Sequence, residues 1–339
     1  MALRLLVNTG LLAIPIGGSL GTLLGIDAHR SATGQPPLFT GDSSNSGSGS
    51  GAGNGGDSTG GGSGGSGSTT NNGVTNTQYC QKSYGISPPS DGQLYTFNPN
   101  QWGVQESTTT GALCMNVTTF NNETYPTKQT APGFSVTWQF DPATGSQPVH
   151  AFPNIMVDDI LPIELDKMTQ VNLDLHWTYG VGNTVASSTN KDSLTAQDLQ
   201  TNVAIDMFFD SDKTRATNSS LADFEVMVWF AMIGASAQPL GYDPNKSVAT
   251  KTINGTSFDL YTATNDKNQN VLTWVISGHL TEEFTGDIYP LITDLYTMKG
   301  DIYPSSSDYM GIFQFGTEAF SSSSNVTFAV PKFSIDIRT

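Results

Sequence analysis

Positive charge is scarce in this chain: 14 lysines and arginines stand against 30 aspartates and glutamates in 339 residues, a formal net charge of −16. Such a balance repels phosphate backbones and anionic membrane surfaces, so no nucleic acid is expected among its partners. Histidine and cysteine are also few. His29, His150, His176 and His279 are isolated from one another, and with only two cysteines the chain has neither a His-Glu-X-X-His nor a Cys/His cluster of metal-ligand spacing. No metal and no cofactor is expected. Glycine loops that cradle phosphate and alternating strand–helix units are missing too. Gly61 to Gly65 does match the Gly-X-Ser-X-Gly pattern of a nucleophile elbow, but that elbow needs a strand before it and a helix after it, and this one lies in a run of glycine and serine.

Long apolar runs are lacking everywhere except near the start. Residues 10–26 carry only Ser19 and Thr22 as polar side chains, follow Arg4 and end at Asp27, His29 and Arg30. Spanning a bilayer takes about 20 apolar residues, and this run is shorter and interrupted by Pro15 and several glycines. Residues 1–30 are therefore read as a signal peptide or signal anchor, with cleavage near Ala28 preferred. The protein is expected to be secreted, membrane attachment through an uncleaved N-terminal segment being the alternative. Residues 31–74 follow as a linker, almost devoid of apolar side chains from Gly41 to Gly73, so burial cannot offset the entropy of ordering them. As a random coil, roughly 30 such residues span about 30 Å. In an exported chain the even pair Cys80 and Cys114 is expected to form one disulfide, contributing about 4 kcal/mol on the chain-entropy model. Asn116, Asn122, Asn218, Asn245, Asn254 and Asn325 each begin an Asn-X-Ser/Thr acceptor for glycosylation.

What is present is alternation. Within residues 75–339, short runs such as FSVTWQF, VNLDLHWTY, NVAIDMFFD, FEVMVWFAMI, VLTWVIS, MGIFQF, VTFAV and FSIDI repeat with period two between Gly, Pro, Asn and Asp. This predicts an all-β fold in a single domain, an antiparallel sandwich or jelly roll. One short helix is expected on the sheet, where Ile288, Leu291, Ile292 and Leu295 form a stripe at i, i+3, i+4 and i+7.

Alternation also sorts the acids. In ADFEVMVWFA it places Asp223, Glu225, Met227 and Trp229 on one face, with Phe224, Val226, Val228 and Phe230 on the core face. In IFQFGTEAF it groups Gln314, Gly316 and Glu318, with Gly316 leaving room beside the acid, and in NVAIDMFFD it aligns Asp206 with Ala204 and Phe208. Unpaired buried carboxylates cost several kcal/mol each or are neutralised by a raised pKa. Stability alone does not collect three of them. Retaining glycosidases use two carboxyls about 5 Å apart, one attacking the anomeric carbon while the other protonates the leaving oxygen. Close like charges push one pKa up, and that group becomes the acid. Asp210, Asp212 and Asp223 are read as solvated acids at strand ends, and Trp177, Tyr179 and Trp274 carry a heavier core reading, since Trp177 alternates with Leu173 and Leu175.

The wording around these acids resembles glycoside hydrolase family 12, the endo-β-1,4-glucanases and xyloglucan-specific endoglucanases, from about Gln78 to Thr339. In order come Cys80, the Asn-X-Trp-Gly turn at Asn100, Trp102 and Gly103, then Cys114, Trp138-Gln139, Phe152 to Ile155, and Trp177 with Tyr179. Asp206 with Phe208, Glu225-X-Met227-X-Trp229, Pro239 to Gly241, and Gln314 to Glu318 follow. The resemblance implies a β-jelly-roll sandwich of two antiparallel sheets with a concave substrate cleft, and it implies that Glu225 is the nucleophile and Glu318 the general acid/base, that Asp206 supports the nucleophile, and that a β-1,4-linked glucan polysaccharide is the substrate. It likewise implies that Trp102 with Asn100 stacks on a sugar at a negative subsite, an indole face suiting axial C–H groups. Trp138, Met227, Trp229 and Gln314 join them as candidate substrate contacts. The enzyme is expected to be a monomer.

The sequence departs from the family wording at Phe140, where a second tryptophan is common, at Ala319, where proline often follows the acid, and at residues 183–200, which look like an insertion. These leave the substrate branch open between cellulose-type glucan and xyloglucan. A family 11 xylanase and a non-catalytic carbohydrate-binding sandwich are more distant readings; the latter would need no acid pair.

Overall fold

The computed structural model describes residues 67–339 apart from 72, 82–84, 86–92, 106–107, 121–124, 144–147 and 279. Two β-sheets are stacked face to face. The first runs β1 (Gly67–Asn71), β2 (Val74–Tyr79), β4 (Gly111–Phe120), β6 (Phe134–Phe140), β18 (Val326–Arg338), β9 (Gln170–Val181) and β15 (Glu283–Asp287), with β5 (Gln129–Ala131) also on β18. The second runs β12 (Ala249–Ile253), β13 (Thr256–Thr264), β14 (Asn270–Ile276), β11 (Phe224–Ile233), β10 (Gln200–Asp210), β16 (Tyr309–Gly316), β7 (Asn154–Val157) and β3 (Tyr95–Asn98). Beside them β17 (Ala319–Ser321) pairs with β10, and β8 (Ile163–Glu164) with β16. This is the expected β-jelly-roll sandwich.

Period-two patterning builds the core between the sheets. From the first sheet Phe134, Val136, Trp138 and Phe140 point inward together with Leu173, Leu175, Trp177 and Tyr179; from the second, Val203, Ile205, Met207, Phe224, Val226, Val228, Phe313 and Phe315 meet them. The expected helix is present as Tyr289–Thr297, with Leu291, Ile292 and Leu295 buried. Trp177, Tyr179 and Trp274 are fully buried, in line with their core reading.

The expected linker boundary at residue 74 falls inside the first sheet. Gly73 supplies a left-handed turn at φ 79°, and β1 folds back on β2 in register, Thr70 opposite Thr75. The expected signal segment at 1–30, the rest of the linker with its Gly61–Gly65 pattern, and Asn122 lie outside the described residues. Cys80 and Cys114 form the expected disulfide, tying the end of β2 to β4. Among the described residues no helix is long and apolar enough to cross a membrane.

Candidate active site

Strand β10 lies in the middle of the second sheet, and the side chains on its outer face, turned away from the core, are the ones that carry chemistry. Asp206 sits opposite Met227 of β11 on one side and Gln314 of β16 on the other; Phe208 sits opposite Glu225, and Ala204 opposite both Trp229 and Gly316. Glu318 follows β16 directly. Alternation along three adjacent strands thus brings the three predicted acids to one face.

Their surroundings differ. Asp206 is 7% exposed, its Oδ1 has no protein hydrogen-bond partner, and burial followed by the charges of Glu225 and Glu318 pushes its pKa far above the carboxylate range. Glu318 is raised from 4.5 to about 7, first by burial and then by Glu225, with a hydrogen bond from Asn202 opposing both. Asn202 grips that residue twice, its Nδ2 donating to the Glu318 carboxylate while its Oδ1 accepts from the Glu318 backbone N–H at 2.9 Å. Glu225 is also raised, burial outweighing the charge of Lys267 and a 3.2 Å hydrogen bond from Asn265 Nδ2, which both act to lower it. Of the three, Glu225 alone has a cation and a donor side chain both favouring its ionised form.

Asn265 is itself fixed. Its Oδ1 accepts from the backbone N–H groups of Lys267 and Gln269, each at 3.0 Å, which turns the loop between β13 and β14 so that Lys267 faces the acid cluster. Buried Gln269 then donates to the carbonyls of Ser219 and Ala222, just ahead of β11.

The other predicted residues divide. Met227 and Trp229 share the acids' face, packed with Ala204, Tyr261 and Val275, although at 2% exposure Trp229 is floor rather than open platform. Gln314 is 1% exposed and donates to Met156 Sδ at 3.7 Å. Trp102 is half-buried against Val149, Ala237 and Phe320, the last two residues beyond Glu318, and Asn100 adopts the left-handed backbone at φ 44° that asparagine tolerates. Trp138 needs correction as a substrate contact. It is 1% exposed inside the core, stacked on Phe140, with its indole N–H donating to the Tyr179 hydroxyl at 2.6 Å.

Asp210 is corrected as well: it is 1% exposed, and its carboxylate accepts from Arg215 Nε at 2.9 Å, while Arg215 Nη2 reaches Asp223 at 2.6 Å. That clamp holds the start of β11 two residues before Glu225. Gly316 does make room, for backbone: a Cβ there would stand 2.1 Å from the carbonyl of Pro153. Asn202, Asn265 and Lys267 were not anticipated. Asn202 was discoverable, since it alternates with Ala204 and Asp206; the loop residues carry no periodic signal. Among the described residues no group of three or more His, Cys, Asp or Glu is placed to hold a metal ion.

The family model described as glycosyl hydrolase family 12 matches residues 93–338. The chain is 29% identical to a probable xyloglucan-specific endo-beta-1,4-glucanase A of Aspergillus clavatus, over 73% of this chain and 87% of that protein. It is 26% identical to endoglucanase A of Aspergillus kawachii, over 72% and 86%. Endoglucanase 3 of Trichoderma harzianum, a solved family member, superposes with a TM-score of 0.59 at 26% identity, covering 77% of this chain and 97% of that one.

Proposed function

We propose, from the premise that this chain belongs to glycosyl hydrolase family 12, that it cuts the backbone of a β-1,4-linked glucan with retention at the anomeric carbon, Glu225 attacking and Glu318 serving in turn as acid and base. Family membership makes it a glycoside hydrolase; the unequal environments of the two glutamates support this division of labour. Glu225, favoured as the anion by Lys267 and Asn265, is suited to attack. Glu318, with its pKa near 7, is suited to keep its proton until the glycosidic oxygen needs it.

In the first step the Glu225 carboxylate bonds to the anomeric carbon as the Glu318 proton passes to the departing oxygen. Forming that ester removes the Glu225 charge, which is one of the causes raising Glu318, so the Glu318 pKa falls and the group stays a carboxylate, ready to act as the base of the second step. It then takes a proton from water, whose oxygen displaces Glu225 and restores the original anomeric configuration. Asp206 stays protonated beside Glu225, a neutral acid able to donate a hydrogen bond to the nucleophile.

Xyloglucan is the second reading of the substrate, favoured by the similarity to the probable xyloglucan-specific endo-beta-1,4-glucanase A of Aspergillus clavatus. Secretion is proposed with it, the Cys80–Cys114 disulfide fitting an oxidising compartment. The test is a product profile on xyloglucan, carboxymethyl cellulose, mixed-linkage glucan and xylan, with the anomer of the first-formed product read by NMR. Internal cleavage of a β-1,4-glucan with a β product is expected; xylan as the preferred polymer, or an α product, refutes the assignment.

A further inference from the structure

A second concavity opens on the same outer face, beyond the acids. It has a volume of about 220 Å³ and is lined by Lys191, Met232, Tyr242, Pro244, Asp259 and Tyr261, with the end of β14 as its floor. Ligand sites for drug-sized molecules run to about 300–1,000 Å³, so there is room here for one ring and not for an oligosaccharide. Its place follows from register. Met232 stands opposite Asn202, the residue that grips Glu318, so the near wall is one strand from the acid/base; Asp259 stands opposite Val275, further out on β13. Trp102 lies on the other side of Glu318, against Phe320 of β17.

The lining has the chemistry of a neutral sugar site. Tyr242 and Tyr261 hold their rings 4.9 Å apart at 55°; the half-buried Tyr242 and Met232 offer apolar area to the C–H face of a pyranose, over a floor of buried Tyr261 and Val275. Hydrogen-bonding groups stand at the edge. The Asp259 carboxylate is oriented by the hydroxyls of Thr250 at 2.5 Å and Ser277 at 2.6 Å, and each of its oxygens retains a lone pair for a sugar hydroxyl. Lys191 makes no ion pair within 4.0 Å among the described residues, and its ammonium can donate to hydroxyl oxygens. One acid and one base leave the lining without a net charge, which suits a neutral ring.

Lys191 comes from the insertion at 183–200, and that segment is docked rather than loose. The Thr178 hydroxyl donates to the carbonyl of Ala186 at 2.9 Å, the Tyr179 N–H donates to the Thr189 hydroxyl at 2.9 Å, and the Thr189 N–H donates to the Glu282 carboxylate. Leu194, three residues past Lys191, is 1% exposed in the main core. The segment that departs from the family wording therefore delivers a donor to the rim of a ring-sized pocket in line with the catalytic acids.

The geometry points to a distal specificity pocket that holds one neutral pyranose of the polysaccharide, either a backbone glucose remote from the cut bond or a sugar branching from it. This rests on the glucanase reading. The test uses the full chain and the variants Lys191→Ala and Tyr242→Ala, with thermal melting to confirm folding. Values of kcat/KM are compared for unbranched β-1,4-glucan, xyloglucan and a short aryl cellobioside, and cellohexaose and a xyloglucan oligosaccharide are titrated by calorimetry into the same variants and their parent carrying Glu225→Gln, so that the ligands are not hydrolysed. Each variant is expected to lower the polymer-to-aryl-cellobioside ratio of kcat/KM about tenfold, about 1.4 kcal/mol, through KM rather than kcat. Loss on both polymers assigns the pocket to a backbone ring; loss on xyloglucan alone assigns it to a branch. An unchanged ratio in both variants overturns the pocket while leaving the glucanase reading intact. A wild type inactive on every polymer overturns that reading instead; the calorimetry then decides the pocket, weakened oligosaccharide binding in the variants supporting it and equal binding refuting it.

Discussion

Replacing Glu318 by glutamine should stabilise the protein, and only on the alkaline side. The fold raises the pKa of this carboxyl from 4.5 to about 7, burial being the largest cause and the charge of Glu225 the next. Below pH 4.5 the group is protonated in both the folded and unfolded chain, and the environment costs nothing. Between 4.5 and 7 the unfolded chain has released the proton while the fold retains it, so stability falls as pH rises; above 7 the loss is complete. At 1.36 kcal/mol per unit, the rise amounts to about 3 kcal/mol. Glutamine carries no charge at any of these pH values and keeps an oxygen to accept from Asn202 Nδ2. Relative to the parent, Glu318→Gln is expected to be neutral within about 0.5 kcal/mol at pH 4 and to gain up to about 3 kcal/mol at pH 8. Urea unfolding at the two pH values measures both, provided the m-values agree. A variant whose advantage is the same at pH 4 and pH 8, or is larger at pH 4, would refute the claim that this acid is held against its own ionisation.

Three further outcomes follow from the same geometry. Glu225→Gln should lower kcat on the preferred glucan by about 10³-fold or more while circular dichroism and melting stay close to the parent's. Lys267→Met should move the acid limb of the kcat/KM profile to higher pH, because Glu225 loses the cation that keeps it ionised; Lys267 is exposed, so the shift should shrink at high salt, and an unmoved limb at low salt counts against the pairing. Trp138→Ala should cost about 3–5 kcal/mol of stability with KM within about twofold, and a large KM effect in a protein that melts normally would return Trp138 to the substrate.

Much of this was legible in the chain because strands repeat every two residues. Glu225 next to Val226, and Asp206 next to Ile205 and Met207, reveal their face wherever one neighbour is plainly core, and the catalytic face of the second sheet follows from three such runs. The same rule, applied locally, places Trp138 with Phe134, Val136 and Phe140 on the inward face; the wording it shares with a family outweighed its own alternation and misplaced it. Asp210 escaped for a different reason. Its partner Arg215 lies within a short helix, Lys213–Ala216, and only that turn brings the guanidinium back to the strand end. Asn265 and Lys267 act from a hairpin loop whose conformation rests on side-chain bonds to its own backbone, a property with no periodic signature.

Strand β11 has one further property of consequence: among the described residues its pairing with β14 is the parallel one in an otherwise antiparallel pair of sheets. A parallel neighbour cannot be reached by a tight turn, so the chain must travel from Ile233 through β12 and β13 before Val271 can settle beside Glu225. The nucleophile's strand is consequently completed by contacts distant in sequence, and such contacts form slowly because loop closure precedes any reward. The loop bearing Asn265 and Lys267 arrives at the end of that excursion. Refolding should therefore restore hydrolysis in step with closure of the second sheet, well after β10 and β11 have paired across the connection that carries the helix Lys213–Ala216.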